Sequence, residues 1–359
     1  MSDKPRALIF ASLPPPAGGV ASIVAMLHQS LGQRQDLLFA SPLPKGKGAW
    51  NGMRRGISNL WKLLWAIQSV APGGRLLFFS SAGYSFYEKL FWAGLALLFG
   101  RKSAIAMVDG NFPHFWHTRP HWLRQFVGWW LRVAAVRLGA QSPGWAEYYR
   151  RVFPGGDVQV FAATVAQRFL SQASPCVSQK ALVLYVGWVI PEKGLLDLLD
   201  ALVQVRKSVP DAKLRLVGPL FGREVFWQDQ VKLRGLGDAV DMVGPVYDQN
   251  RLIHEMCEAS VFVLPSHAEG MPVALLEAMA LGVPCLGSNV GGIPDLLALG
   301  EAGKIVEPHA PAQLANALVE FLTDAQLRER LGRAAFERVR MHYSAEAFAH
   351  SYLQLLDIA

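Results

Sequence analysis

The stretch SVFVLPSHAEGMPVALLEAMALGVPCLGSNVGGIPDLL, residues 260–297, decides the fold. It opens on a short apolar run that ends at Pro265, and such a run predicts a buried strand. A loop carrying Glu269 follows, and a helix begins near Pro272 and ends at Gly282. A strand, a loop and a helix in this order form the repeating unit of a parallel α/β sheet.

The same alternation continues on both sides of this stretch. The strand patterns in the second half are ALVLYVGW, KLRLVGP, VDMVG and PCLGS, and a helix pattern covers residues 194–208. The first half has the strand patterns RALIFASL, GRLLFFSS, SAIAMVDG and VQVFAATV, with helices over residues 20–31 and 86–99. A chain of 359 residues is longer than a single hydrophobic core usually supports. We therefore predict an α/β protein of two doubly wound, Rossmann-like domains, residues 1–172 and 173–342.

Basic and aromatic residues concentrate in the first half. Residues 41–150 hold fourteen Lys or Arg, three acidic residues and nine of the eleven tryptophans. Basic residues interleaved with Trp favour an anionic membrane surface, while a solvated basic face over an aromatic core is the alternative. Nucleic acid is not expected as a partner, because no binding signature accompanies the charge.

Apolar runs and cysteines bear on the location of the protein. The longest apolar stretches, residues 90–99 and 127–138, are too short or are interrupted by arginines, so we predict that the chain does not cross a membrane. Cys176, Cys257 and Cys285 lie far apart and form no CxxC pair. This spacing argues against disulfides and metal ligation and favours a reducing, cytoplasmic setting.

The glutamates of EGMPVALLE, residues 269–277, are eight positions apart. Such a pair can simply favour the helix dipole. However, the flanking PS, EAMA, GVP and GGIP make the segment resemble the Glu-x7-Glu signature of a large GT-B glycosyltransferase family. This family includes bacterial sucrose, mannosyl and lipopolysaccharide-core transferases. The resemblance implies that Glu269 faces the transferred sugar and Glu277 the ribose of a nucleotide. The backbone contacts to the donor would come from Gly270, Met271, Pro272 and Val273.

The segment YVGWVIPEKG, residues 185–194, resembles the diphosphate loop of that family. Gly187 and Lys193 match, and the resemblance implies that Lys193 neutralises the leaving phosphate. The family's Arg position holds Trp188, and Arg223 is a candidate substitute. As an alternative, Pro-Glu-Lys-Gly also makes an ordinary helix start.

Three further loops complete the predicted donor pocket. Gly18 and Gly19 follow the first strand, where the family has a phosphate-supporting glycine pair. Gly218 and Val246 follow two later strands, where relatives hold the nucleotide base. As lone features, turn glycines are the ordinary interpretation.

Asp109 stands where many relatives have a histidine near the sugar. It is a candidate to bind a sugar hydroxyl or to act as a base, and it is equally a candidate to cap its own loop.

The resemblance as a whole implies a GT-B fold with two domains facing across a cleft and a C-terminal helix, within residues 343–359, that returns to the first domain. It implies a retaining transferase without a cofactor, whose substrate is a nucleotide-diphosphate sugar and whose acceptor is a saccharide. Metal assistance is not expected, because the sequence has no DxD-type pair on a loop after a strand. The Trp-rich basic half favours a lipid-linked acceptor at the cytoplasmic face of the inner membrane, in bacterial surface polysaccharide biosynthesis. Two alternatives stay open: a non-catalytic GT-B binding module and a nucleotide-sugar epimerase.

Overall fold

The computed structural model describes residues 4–11, 19–42, 49–176 and 178–359, and of residues 19 and 49–57 the backbone alone. The chain divides into two compact units. One comprises Met1–Ala163 together with Ala345–Ala359, and the other comprises Thr164–Ser344.

Unit 1 is built on a parallel six-stranded sheet with the strand order β2-β1-β3-β4-β5-β6. Apolar side chains cover both faces, since α2, α3, α5 and α6 pack on one face while α1 and α15 contribute to the other core. The elements are β1 (Ala7–Phe10), α1 (Gly19–Leu31), β2 (Leu37–Ala40), α2 (Ala49–Ser69), β3 (Arg75–Ser80), α3 (Tyr84–Leu98), β4 (Lys102–Met107), α4 (Phe112–His117), α5 (His121–Val133), β5 (Arg137–Ala140), α6 (Pro143–Val152), β6 (Asp157–Val160) and, from the end of the chain, α15 (Ala345–Leu355).

Unit 2 has a second parallel six-stranded sheet, with the strand order β12-β11-β10-β7-β8-β9. The elements are α7 (Gln167–Leu170), β7 (Leu182–Val186), a 3-10 turn (Pro191–Lys193), α8 (Leu195–Ser208), β8 (Lys213–Val217), α9 (Glu224–Leu233), β9 (Val240–Gly244), α10 (Gln249–Cys257), β10 (Val261–Leu264), α11 (Val273–Ala280), β11 (Cys285–Ser288), α12 (Ile293–Leu296), a second 3-10 turn (Ala298–Gly300), β12 (Lys304–Val306), α13 (Pro311–Thr323) and α14 (Ala325–His342).

The strand order of unit 2 reverses between β7 and β10. From β7 the chain proceeds to β8 and β9 on one side, whereas β10 is followed by β11 and β12 on the other. In open α/β sheets ligands bind beyond the carboxyl ends of the strands at such a reversal. The loops after β7 and β10 therefore meet at the expected ligand position.

The prediction of an α/β protein with two doubly wound parallel sheets is confirmed. The division between the units falls at Thr164, before the predicted change at residue 173, and the Thr164 hydroxyl donates a 2.9 Å hydrogen bond to the carbonyl of Tyr343 within unit 2. Only the first three residues of the pattern VQVFAATV lie in a strand, which spans Asp157–Val160. No described helix has both the length and the apolar character needed to cross a bilayer.

The expectation that the cysteines form no disulfide is wrong. The sulfur atoms of Cys176 and Cys257 are bonded, and their Cα atoms lie 5.2 Å apart. The two residues precede β7 and β10, which are neighbours in the sheet although 81 positions separate the cysteines in sequence. Neighbouring parallel strands start at the same end of the sheet, so the fold brings the two cysteines together although they are distant in sequence. The argument for a reducing compartment loses its basis with this bond. Cys285 is a buried free thiol.

Candidate functional site

A small polar cluster lies at the carboxyl ends of β7 and β10. The Glu269 carboxylate accepts a hydrogen bond of 2.6 Å from the Lys193 ammonium and one of 2.7 Å from the Ser266 hydroxyl, both at Oε1. The exposed fractions of the Lys193 and Glu269 side chains are 23% and 11%, so the ion pair is largely shielded from water. The sequence predicted a donor site around Lys193 and Glu269, and the structure brings the two residues into contact.

Two glycines allow the loop of this cluster to approach its neighbours closely. Gly194 has a φ of 69°, and a Cβ atom there would lie 1.9 Å from the carbonyl oxygen of Pro265. Gly291 has a φ of 55°, and its Cβ would lie 1.8 Å from the carbonyl oxygen of Glu269. Any other side chain would collide with backbone at either position. The start of α8 and the turn after β11 thus hold the 265–269 loop from two sides.

Tyr185 lies beneath the cluster at the end of β7. Its side chain is fully buried, and its hydroxyl donates a 2.8 Å hydrogen bond to the Trp188 carbonyl. Burial raises the pKa of the Tyr185 phenol, and the negative charge of Glu269 adds to this effect. The phenol therefore stays neutral and braces the loop after β7. Sequence reasoning missed Tyr185 and Ser266 as parts of the site, because a hydroxyl at a strand end is too common to signal one.

Glu277 lies in the second turn of α11 and differs from Glu269 in its surroundings. It is half-buried, and within the described residues its carboxylate has no hydrogen-bond or ion-pair partner. Burial raises the pKa of Glu277 to about 7. A half-buried carboxylate that lacks a protein partner is suited to accept hydrogen bonds from a ligand.

The segment between Glu269 and the start of α11 is largely shielded from solvent. Met271 and Pro272 are buried, while Gly270 and Val273 are half-buried. The Gly292 amide donates a 2.8 Å hydrogen bond to the Gly270 carbonyl. Helix α11 begins at Val273, and the first amides of a helix have no carbonyl partner within it. These amides are the predicted donors to an anionic ligand.

Trp188 lies in the diphosphate loop at the position where the family resemblance implies an arginine. It is 57% exposed and its ring packs edge-to-face on Phe221, with 5.6 Å between centroids. Arg223, the candidate substitute, is an exposed residue at the start of α9. The structure shows no contact of Arg223 with Lys193 or Glu269, so its role as a substitute cation stays a prediction.

The remaining predicted donor residues of unit 2 follow β7, β8 and β9. The Gly187 amide donates a hydrogen bond to the Val217 carbonyl, and the Gly218 amide donates one to the Gly244 carbonyl. Both bonds are 2.9 Å long. Val246 is half-buried just after β9. The three positions thus lie along one edge of the sheet, and their contact with a nucleotide stays a prediction.

In unit 1, the carboxylate of Asp109 is occupied by its own loop. One oxygen accepts a 2.8 Å hydrogen bond from the Ala82 amide and the other a 2.7 Å bond from the Asn111 amide. The structure therefore shows the capping arrangement, and a catalytic role stays a prediction. Gly19 is the first residue of α1, whereas Gly18 lies outside the described residues.

Sequence comparison places unit 2 among known proteins. Residues 167–338 match the family described as Glycosyl transferases group 1. Over 176 residues the chain is 32% identical to a glycogen synthase of Mycobacterium tuberculosis, covering 49% of this chain and 42% of that protein. Over 193 residues it is 33% identical to a D-inositol 3-phosphate glycosyltransferase of Streptomyces avermitilis, covering 51% and 41%. The chain thus matches less than half the length of these curated relatives.

Structure comparison extends over both units. Sucrose-phosphate synthase from Thermosynechococcus elongatus superposes with a TM-score of 0.74 at 21% identity, over 98% of each chain. HepE of Anabaena, solved in complex with UDP, superposes with a TM-score of 0.73 at 18% identity, over 99% of this chain and 100% of that one. At these identities the likeness shows the fold, which is that of the GT-B glycosyltransferases.

Proposed function

We propose, on the premise that unit 2 is a glycosyl transferases group 1 domain, that this protein is a retaining glycosyltransferase. Its donor is a nucleotide-diphosphate sugar, and its acceptor is a saccharide. The proposal rests above all on the Lys193–Glu269–Ser266 cluster at the point where the strand order of unit 2 reverses.

The cluster has the charges that donor binding requires. An ammonium group has three hydrogen-bond donors, and Lys193 uses one of them on Glu269. The others remain for the oxygens of a diphosphate, whose charge the α11 amides also stabilise. No metal ion is needed in this scheme, since the lysine and the helix dipole carry the diphosphate charge.

Glu269 and Glu277 take different tasks in the proposed reaction. Glu277 accepts hydrogen bonds from the ribose hydroxyls, and Glu269 binds hydroxyls of the sugar and stabilises positive charge at its anomeric carbon. The bond between that carbon and the phosphate oxygen breaks, and the acceptor oxygen bonds to the same face. The acceptor proton passes to the departing phosphate, so the configuration is retained without a covalent enzyme intermediate.

Three helices that cover one face of the unit 1 sheet support a lipid-linked acceptor. Exposed apolar side chains recur along each of them at helical spacing. They are Trp61 and Trp65 on α2, Tyr84, Phe91 and Leu98 on α3, and Trp122, Phe126, Trp129 and Val133 on α5. Aromatic side chains beside an excess of Lys and Arg bind anionic interfaces. They support our proposal that the enzyme acts at the cytoplasmic face of a membrane, in surface polysaccharide biosynthesis.

Ligand binding and turnover test the donor site separately. A thermal-shift screen with UDP, GDP and ADP identifies the nucleotide, and hydrolysis of the matching nucleotide sugars gives a turnover rate. We expect Glu277→Ala to weaken nucleotide binding about tenfold, equivalent to ~1.4 kcal/mol. We expect Glu269→Ala to lower turnover chiefly. Glu301→Ala, an exposed glutamate of the same unit, is the control. Wild-type behaviour of both site variants would refute the proposed site.

Trp188 favours one rival function, a GT-B module that binds without catalysis, because it removes one expected cation from the diphosphate loop. Such a module would bind a nucleotide but hydrolyse no nucleotide sugar. An epimerase, the other rival, would convert the donor and leave no glycoside product, which product analysis distinguishes.

A further inference from the structure

A second polar cluster of unit 2 is not used by the proposed reaction. Asp197 lies in the first turn of α8, His267 in the loop after β10, and His309 just before α13. The His267 Nε2 lies 2.8 Å from the Asp197 Oδ2, and the His309 Nδ1 lies 3.9 Å from the same oxygen. The two imidazole rings face each other, with centroids 3.7 Å apart and planes inclined by 34°.

These distances fit coordination of a single ion. Ligand atoms about 2.1 Å from one tetrahedrally coordinated metal ion are separated by about 3.4 Å. One ligand atom from each of the three side chains lies within 4.8 Å of the other two. The distances of 2.8 Å and 3.9 Å from the Asp197 Oδ2 to the two imidazole nitrogens lie on either side of the tetrahedral separation. Two imidazoles and a carboxylate are ligands that suit Zn²⁺ and its neighbours in the first transition row.

A hydrogen bond between His267 and Asp197 explains only part of the arrangement. His309 has a φ of 59°, in the left-handed region that non-glycine residues rarely adopt. This conformation places its ring over His267, where the ring remains 65% exposed. Because ring nitrogens that bind one ion converge on it, the two rings would turn out of this stacked arrangement when an ion binds. The exposed His309 side chain has space to turn.

The surroundings provide room and access for an ion. A cavity of about 10 Å³ beside the cluster is lined by Asp197, His309, Ser288 and Glu307, among others, but not by His267. That volume holds one water molecule or a single ion, and nothing larger. Because the His309 side chain is exposed, an ion reaches the ligands directly from solvent.

We propose that Asp197, His267 and His309 form a binding site for one divalent transition-metal ion such as Zn²⁺, with water completing the coordination. The ion would tie the 265–269 loop to α8 and to the turn before α13. It is separate from the proposed transfer, in which Lys193 and Glu269 act without a metal. The metal-binding proposal therefore does not depend on the proposed function.

The test uses the full chain, freed of metal by a chelator and titrated with Zn²⁺ in the absence of nucleotide. We expect calorimetry to show one saturable site, and excess Zn²⁺ to raise the Tm by about 5 °C. Co²⁺ in place of Zn²⁺ should give the visible absorption of a nitrogen- and oxygen-ligated ion.

His309→Asn is the diagnostic variant, because Asn tolerates the left-handed backbone but is a poor zinc ligand. We expect its Zn²⁺ Kd to rise at least 100-fold, since losing even an outer partner of a metal ligand costs about 10–100-fold. His254→Asn, an exposed histidine on α10, should bind as the wild type does. Zn²⁺ binding that is absent from the wild type, or equal in the wild type and His309→Asn, would overturn the proposal.

Discussion

Glu269 in the loop after β10 and Glu277 in α11 differ in whether their carboxylates have a partner. Glu269 is neutralised by Lys193, whereas Glu277 has no partner among the described residues and has its pKa raised to about 7 by burial. A carboxyl group with a raised pKa binds more protons in the folded than in the unfolded protein between about pH 4.5 and 7. Folding stability is therefore lost as the pH rises through this window.

We predict that Glu277→Gln removes this pH-dependent loss. The neutral amide avoids the cost of a buried charge. The Tm difference between the variant and the wild type should therefore be several degrees larger at pH 8 than at pH 5, in favour of the variant. Thermal melts across that range check the difference, with Glu301→Gln as the exposed control. A Tm difference that is constant with pH would contradict the assigned burial of Glu277.

Trp188 gives a second prediction at the residue scale. It is exposed on the loop after β7, so a longer polar side chain fits there without disturbing the core. We predict that Trp188→Arg increases the affinity for nucleoside diphosphates about tenfold, because a charge-assisted hydrogen bond to a phosphate contributes about 1.5 kcal/mol. Calorimetry with UDP and with uridine measures the effect. Equal gains for both ligands would show that the arginine acts elsewhere than at the diphosphate.

Sequence reasoning reached some of these residues and missed others for physical reasons. Glu269 and Lys193 were identifiable because each lies in a distinctive local pattern, although their contact spans 76 positions. The Asp197–His267–His309 cluster has no such pattern. Its members belong to three segments that only the folded sheet brings together.

At the scale of elements, α5 shows how a helix can have two apolar faces. Val127 and Leu131 are buried against the sheet, while Trp122, Phe126 and Trp129 are exposed on the other side. A helix in water alone would not be expected to expose three aromatic side chains along one stripe.

We predict that replacing Trp122, Phe126 and Trp129 by Ser abolishes most of the binding to vesicles. Flotation with anionic phospholipid vesicles at low salt measures the bound fraction, and zwitterionic vesicles report the charge contribution. Val225→Ser with Leu233→Ser removes exposed apolar surface from α9 in unit 2 and should leave flotation unchanged. Wild-type protein that does not float with anionic vesicles would disprove the membrane proposal.

The strands that sequence patterns did not predict are short. β2, β5 and β12 have three or four residues each, and the start of β5 at Arg137 lies in a stretch dominated by helical periodicity. Their hydrogen bonds come from neighbouring strands distant in sequence, so no local signal identifies them. Longer strands with buried faces, such as β3 and β4, were predicted to within a few residues.

At the scale of the whole molecule, unit 1 takes an essential part of its core from the end of the chain. Tyr352 of α15 is fully buried, and its ring centroid lies 5.1 Å from that of Phe161. Asp357, just beyond α15, forms 2.6 Å ion pairs with Arg75 of β3 and Arg137 of β5. The last helix is therefore an integral part of unit 1.

We predict that Tyr352→Ala destabilises unit 1 by about 3–5 kcal/mol, as expected for an aromatic side chain removed from a core. Urea unfolding followed by Trp fluorescence reports this unit, since nine of the eleven tryptophans lie within residues 41–150. Tyr352→Phe is the matched control. The Tyr352 hydroxyl is buried and has no partner in the described part of the chain, so its removal should be neutral or slightly stabilising. An unchanged fluorescence midpoint in Tyr352→Ala would refute the role of α15.

The place of α15 also sets an order of events during translation. Residues 164–344 are synthesised before α15, and unit 2 does not need α15 to complete its own core. The sheet of unit 1 is synthesised first, and the part of its face that α15 covers stays exposed until residues 345–355 are available. The nascent N-terminal half is therefore the part of this protein that most needs chaperone protection, and its folding finishes last.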